Sequence, residues 1–138
     1  MCIILDANCF NKFRDKCDED MEPVRNWLYN RDGKIAYSTA EKFQQEWHKG
    51  GIDYLGLNRA GKLKLVNTGV EEKTKELEGN IKSNDPHIIA LAIVANVNVL
   101  VSQDGALIND FTNRNLVARG RVYQRAEHAH LLNSARCP

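Results

Sequence analysis

The chain has 138 residues, 43% of them hydrophobic and 27% charged, which is the make-up of one ordinary globular domain with a real core. No apolar run approaches the roughly 18 to 20 residues a membrane span needs. Nineteen Lys and Arg against eighteen Asp and Glu leave a net charge of +1, too little to mark the whole chain as nucleic-acid-binding.

The start, Met1-Cys2-Ile3-Ile4-Leu5-Asp6, has no basic stretch and meets an acid at once, so it reads as a first strand rather than an export signal. Ala7 to Cys17 follows as a helix with Phe10 and Phe13 on one side. A second helix is expected from near Met21 to Asn30, with Pro23 in its first turn and Val24, Trp27 and Leu28 as an apolar stripe. Ile35 to Tyr37 is the next strand. Ser38 and Glu41 have the spacing of a capping box for a helix that carries Phe43 and Trp47 and stops near Gly50-Gly51. Ile52 to Ala60 reads as a helix, Leu63 to Val66 as a strand and Val70 to Glu78 as a charged helix. Asn84-Asp85-Pro86 opens the most apolar helix, through Val97, which is expected to be buried nearly all round. Asn98 to Val101 is a central-type strand, Gly105 to Phe111 a short helix, Val122-Tyr123 an edge strand and Ala126 to Asn133 a last helix. Strands alternating with helices predict an α/β fold: one domain over residues 1–138, with a mostly parallel central sheet flanked by helices.

In such a sheet, strand ends and the starts of the following helices converge on one edge. Asp6 and Asp104 each follow an apolar strand, Asp85 opens the apolar helix, and Glu46 lies in the helix after the Ile35 strand. Four carboxylates gathered there repel one another unless cations sit among them, which points to a divalent-metal site and metal-assisted phosphodiester hydrolysis. Each acid also has an ordinary structural use. Asp6, Asp85 and Asp104 are all at helix starts, where an Asp caps. Glu41 is explained by the capping box, which leaves Glu46 as the favoured fourth acid, with the choice between them open. Asp110, six residues after Asp104, is a further candidate for the same pocket. Asn8 and Ser102 are placed to orient ligands and waters. His87 reads as a polar surface group or a phosphate contact, and His128-Ala129-His130 is no recognised metal spacing.

From Thr112 onward, five arginines (Arg114, Arg119, Arg121, Arg125, Arg136) face only Glu127. A basic tail beside an acidic edge suits a phosphate backbone, with Arg114, Arg119 and Arg121 as the candidate contacts. The four cysteines contain no C-x-x-C pair, and without an export signal they read as reduced thiols of a cytoplasmic protein.

These residues together resemble the PIN-domain nucleases. The likeness covers most of the chain. It rests on Ile3-Ile4-Leu5-Asp6-Ala7-Asn8, on Tyr37-Ser38 leading to Glu46-Trp47, on Asn84-Asp85-Pro86-His87-Ile88-Ile89-Ala90-Leu91-Ala92, and on Leu100-Val101-Ser102-Gln103-Asp104 with Asp110-Phe111. One departure is the distance from Ser38 to Glu46, which is a little longer than the family's usual spacing. The resemblance implies a parallel sheet with helices on both sides, three or four acids binding Mg²⁺ or Mn²⁺, and cleavage of RNA to 5′-phosphate and 3′-hydroxyl ends. It also implies a toxin of a toxin–antitoxin pair or a defence nuclease, with an RNA substrate, an antitoxin or other protein partner, and a homodimer. On this reading Asp6, Asp85 and Asp104 hold one ion, and Glu46 or Asp110 touches a second. The rivals are a receiver-like signalling domain, disfavoured by the single acid after the first strand, and a catalytically silent PIN-like module that binds RNA or protein.

Overall fold

The computed structural model describes residues 2–134. Arg136 of the basic tail, like Cys137, lies outside them. Five strands form one all-parallel sheet in the order β3-β2-β1-β4-β5: β1 (Cys2–Leu5), β2 (Lys34–Ser38), β3 (Leu63–Val66), β4 (Val99–Val101) and β5 (Arg121–Tyr123). Among the described residues, seven α-helices flank it: α1 (Phe10–Arg14), α2 (Glu22–Asn30), α3 (Glu41–Lys49), α4 (Tyr54–Arg59), α5 (Val70–Leu77), α6 (Pro86–Ala95) and α7 (Gly105–Phe111).

Parallel strands are covered by helices on both faces, so they need no polar alternation. All four residues of β1 and all three of β4 are buried, as their unbroken Ile, Leu and Val runs require. The chain winds from β1 outward to β2 and β3, then returns to the other side of β1 for β4 and β5. Right-handed crossovers in opposite directions put the two sets of helices on opposite faces. The order therefore reverses between β1 and β4. That is where open α/β sheets leave a crevice at the carboxyl ends of their strands.

Three elements differ from the sequence expectation. The first helix is split into a 3-10 turn at Ala7–Cys9 and the short α1, which ends at Arg14 instead of Cys17. The chain after it is held in turns instead: Asp15 and Asp18 accept from the backbone of Cys17 and Met21, and the Arg25 guanidinium gathers the carbonyls of Lys12, Phe13, Lys16 and Asp18. The last helix is 3-10 over Ala126–Ser134. The capping box does not form. Strand β2 runs one residue further than expected and buries Ser38, so α3 starts at Glu41, and Ser38 Oγ accepts from Ala40 N instead.

Helix α6 is buried from His87 to Ala92, but Val94 near its end is 38% exposed. Asn96 stops it in the left-handed conformation (φ 55°), as an Asn after a helix can. Among the described residues, no helix is long and apolar enough to cross a membrane. Cys9 and Cys17 are free thiols, but Cys2 is disulfide-bonded, which corrects the expectation that all the cysteines are reduced.

Candidate functional site

The crevice between β1 and β4 is built around one hydroxyl. Ser102, the residue after β4, is fully buried; its Oγ donates to Asp6 Oδ2 at 2.7 Å and accepts from Asp104 N at 3.1 Å. Asp6, the residue after β1, is only 4% exposed. It caps the 3-10 turn through Oδ1, which accepts from Ala7 N at 2.8 Å, while Oδ2 takes the Ser102 hydroxyl. Asp104 caps α7 through the same kind of bond, its Oδ1 accepting from Ala106 N and Leu107 N at 3.0 and 3.4 Å. Asn8 pins the two loops together, its Oδ1 accepting from Gln103 N at 3.3 Å. Capping and membership of the crevice are thus compatible for Asp6 and Asp104, because in each only one oxygen caps: Asp6 gives its other oxygen to the Ser102 hydroxyl, and Asp104 caps through Oδ1 alone.

Asp85 behaves differently. It sits at the N-cap position of α6, yet its side chain makes no capping bond. Ser83 Oγ accepts from Asp85 N at 3.4 Å and holds the turn, so the carboxylate is left to face the crevice. Across from it, Glu46 of α3 is partly buried, with its Oε1 3.2 Å from Nε2 of the buried His87. Glu41 is exposed and accepts from Gln45 Nε2 along its own helix. Of the two competing glutamates, only Glu46 stands among the other acids.

The electrostatics tie these groups together. Burial pushes the Asp6 carboxyl up to about 6; the Ser102 and Ala7 bonds oppose this, and the Asp85 and Glu46 charges add to it. Asp85 is also raised, first by burial and then by Glu46 and Asp104, against the pull of His87 and Lys42. Asp6 thus feels the charges of Asp85 and Glu46, and Asp85 those of Glu46 and Asp104. Lys42, an exposed residue in the first turn of α3, is the cation whose charge reaches Asp85. Glu46, Asp85 and His87 each offer a ligand atom, and these atoms lie within 4.8 Å of one another, close enough to share one ion.

Two expectations from the sequence need correction. Asp110 is buried, but both its oxygens are taken by backbone: Lys82 N at 3.0 Å and Ser83 N at 2.8 Å. It braces the loop that delivers Asp85, and it is absent from the charges that act on Asp6 and Asp85. The arginines are not beside the acids. Arg121 opens β5, Arg119 lies just before it, and both line one open depression with Arg114, Asn96 and Asn98. In parallel strands the amino ends all share one edge, so this depression lies across the sheet from the acids, which follow the carboxyl ends of β1 and β4. The sequence reading had His87 as a polar surface group or a phosphate contact, whereas the structure buries it. The available signal was the apolar run that follows it on α6, Ile88 to Ala92, which is buried throughout.

Fold and crevice define a doubly wound α/β domain with a carboxylate cluster at its topological switch point. All four sequence blocks that carry the PIN-domain resemblance meet on that one edge. No family model matches the sequence, and no curated protein matches it. Among solved structures, the chain is similar to one in the crystal structure of VapBC2 from Rickettsia felis bound to a DNA fragment from their promoter. The identity is 18% and the TM-score 0.45, over 88% of this chain and 97% of that one.

Proposed function

We propose that this chain is a metal-dependent endoribonuclease of the PIN type, a single domain over residues 1–138 that hydrolyses RNA phosphodiester bonds. The observation that carries the reading is a chain of like charges in one partly desolvated crevice, with Asp85 and Glu46 acting on Asp6, and Glu46 and Asp104 acting on Asp85. A carboxyl held at about 6 by burial and by neighbouring acids is costly to ionise, and a divalent cation removes that cost. The donor set fits such an ion: carboxylate oxygens of the hard type that Mg²⁺ and Mn²⁺ take, at the edge of an open crevice with room for water and substrate.

On this reading Asp6, Asp85 and Asp104 hold the ion, with Glu46 beside them. When bound, it supplies a water acidic enough to attack near neutral pH and a counter-charge for the phosphodiester. The protein's own part is positioning. Ser102 fixes the free faces of Asp6 and Asp104 relative to each other, Asn8 locks the loops behind them, and Asp110 holds the Asp85 loop from below. Lys42 offers a positive charge at the mouth, where a backbone phosphate of the RNA would pass. A cytoplasmic protein acting as the toxin of a toxin–antitoxin pair or as a defence nuclease, with an antitoxin partner or as a homodimer, agrees with the sequence resemblance.

The deciding experiment is cleavage of a labelled pool of single-stranded and structured RNAs with Mg²⁺, with Mn²⁺ and with EDTA. Asp6→Asn and Asp104→Asn are run alongside. We expect metal-dependent cuts that both variants lose while keeping their circular dichroism. No cleavage in any condition, together with no heat of metal binding, would replace the enzyme with a silent RNA- or protein-binding module.

A further inference from the structure

We infer that His87 is itself a ligand of the metal centre. With Glu46 and Asp85 it forms a mixed imidazole–carboxylate set that takes a transition-metal ion in preference to Mg²⁺. The inference rests on the metal-site reading above and makes it more specific.

The case starts from a cost. His87 is 3% exposed, and neither ring nitrogen has a hydrogen-bond partner. A buried polar nitrogen left unpaired is expensive, and such groups are rare in folded proteins without an unseen partner. Nε2 does lie 3.2 Å from Glu46 Oε1, but in ion-pair proximity without hydrogen-bond alignment. Glu46 therefore does not satisfy the ring, and both His87 nitrogens remain without a hydrogen bond.

That separation is what ligation produces. Nitrogen and carboxylate oxygen bind a small divalent ion at about 2.1 Å, so neighbouring ligands sit roughly 3.0 Å apart at a right angle and roughly 3.4 Å apart at a tetrahedral one. The observed 3.2 Å falls between the two, and an Asp85 oxygen completes a group spanning at most 4.8 Å. Pro86 precedes His87 in the first turn of α6, so the ring is carried on a rigid and buried element. An imidazole donor changes the selectivity expected of carboxylates alone. Mg²⁺ prefers oxygen and keeps its waters, whereas imidazole favours transition ions, with Co²⁺ and Zn²⁺ bound more tightly than Mn²⁺.

The test uses metal alone as the probe. Metal-free protein is titrated separately with Mg²⁺, Mn²⁺ and Co²⁺ by calorimetry, and the Mn²⁺ form is examined by pulsed electron paramagnetic resonance for coupling to a directly bound ¹⁴N. We expect Co²⁺ to bind at least about tenfold more tightly than Mg²⁺, and a nitrogen coupling in the wild type that is lost in His87→Gln. Mn²⁺ bound without nitrogen coupling, or a coupling and preference that persist in folded His87→Gln, overturns the inference and leaves the carboxylate site standing. No binding of any ion overturns this inference and the metal-dependent nuclease reading together. The wild-type spectrum can refute the idea alone, so a variant that fails to fold does not protect it.

Discussion

Replacing Asp6 by asparagine should separate what the crevice does for function from what it costs in stability. The folded carboxyl sits at about 6 against an ordinary 3.8, chiefly through burial. The folded state therefore holds the proton more tightly than the unfolded chain does. Its advantage is complete below pH 3.8 and is lost as pH rises from 3.8 to about 6. At roughly 1.4 kcal/mol per pH unit, the ionised group costs the metal-free protein about 1 kcal/mol near pH 4.5 and about 3 kcal/mol near neutrality. Asparagine keeps one oxygen for Ala7 N, presents an amide N–H to Ser102 Oγ where the second carboxylate oxygen accepted from it, and carries no charge at any pH. Asp6→Asn should thus be inactive yet more stable than wild type by up to about 3 kcal/mol at neutral pH. Urea unfolding of both proteins across pH, in EDTA, measures the gap, and added Mn²⁺ should narrow it by stabilising the wild type more than the variant. Parallel stability curves, or a variant weaker than wild type at neutral pH in EDTA, would refute the desolvated-cluster reasoning.

Asp110→Ala leaves the buried backbone N–H of Ser83 and the part-buried one of Lys82 without their side-chain acceptor and should cost about 2 kcal/mol in denaturant unfolding. Stability unchanged in Asp110→Asn, with Mn²⁺ affinity reduced, would return Asp110 to the metal instead. Tyr123 is fully buried and pushed up to about 12 by burial and then by Asp20 and Asp18. Its stabilising contribution is present below about pH 10 and lost towards pH 12, so Tyr123→Phe should flatten the alkaline fall in stability while losing about 1 kcal/mol at neutral pH with the bond to the Asp20 carbonyl. If the RNA path follows the acids, Lys42→Ala should raise KM for a short RNA several-fold while the Arg119→Ala, Arg121→Ala pair leaves kcat/KM within about twofold. The reverse pattern would move the path to the other edge.

Local chemistry made much of this molecule legible before its structure. An unbroken Cys2–Leu5 run ending in Asp6 reads as a buried parallel strand with an acid at its end. Gly105 to Phe111 is a helix because Asp104 caps it, and both limits matched. The reading failed where the outcome depended on distances set by other elements. One extra residue of β2 moved Ser38 into the sheet and dissolved the capping box, and with it the structural explanation that the sequence offered for Glu41. Asp110 looked like a fifth acid of the cluster because sequence spacing cannot show that the loop before α6 crosses above it. The arginines were judged by net charge, when the direction of β5 decides which end of the sheet they occupy.

That direction gives the molecule a polarity its net charge hides. Lys34, Lys62 and Arg121 start strands or lie just before them, with Asp32 beside them, while Asp6 and Asp104 follow strand ends with Lys42 within reach of Asp85, so the two poles of the sheet lean towards opposite charges. A polyanion drifting in meets a field that turns the basic pole towards it and the acidic pole away. Divalent cations meet the reverse field and are drawn to the acids. If the crevice is charged with metal as proposed, its local field inverts and that pole turns towards a polyanion. On that reading metal arrives before substrate, an order set by the layout of a parallel sheet.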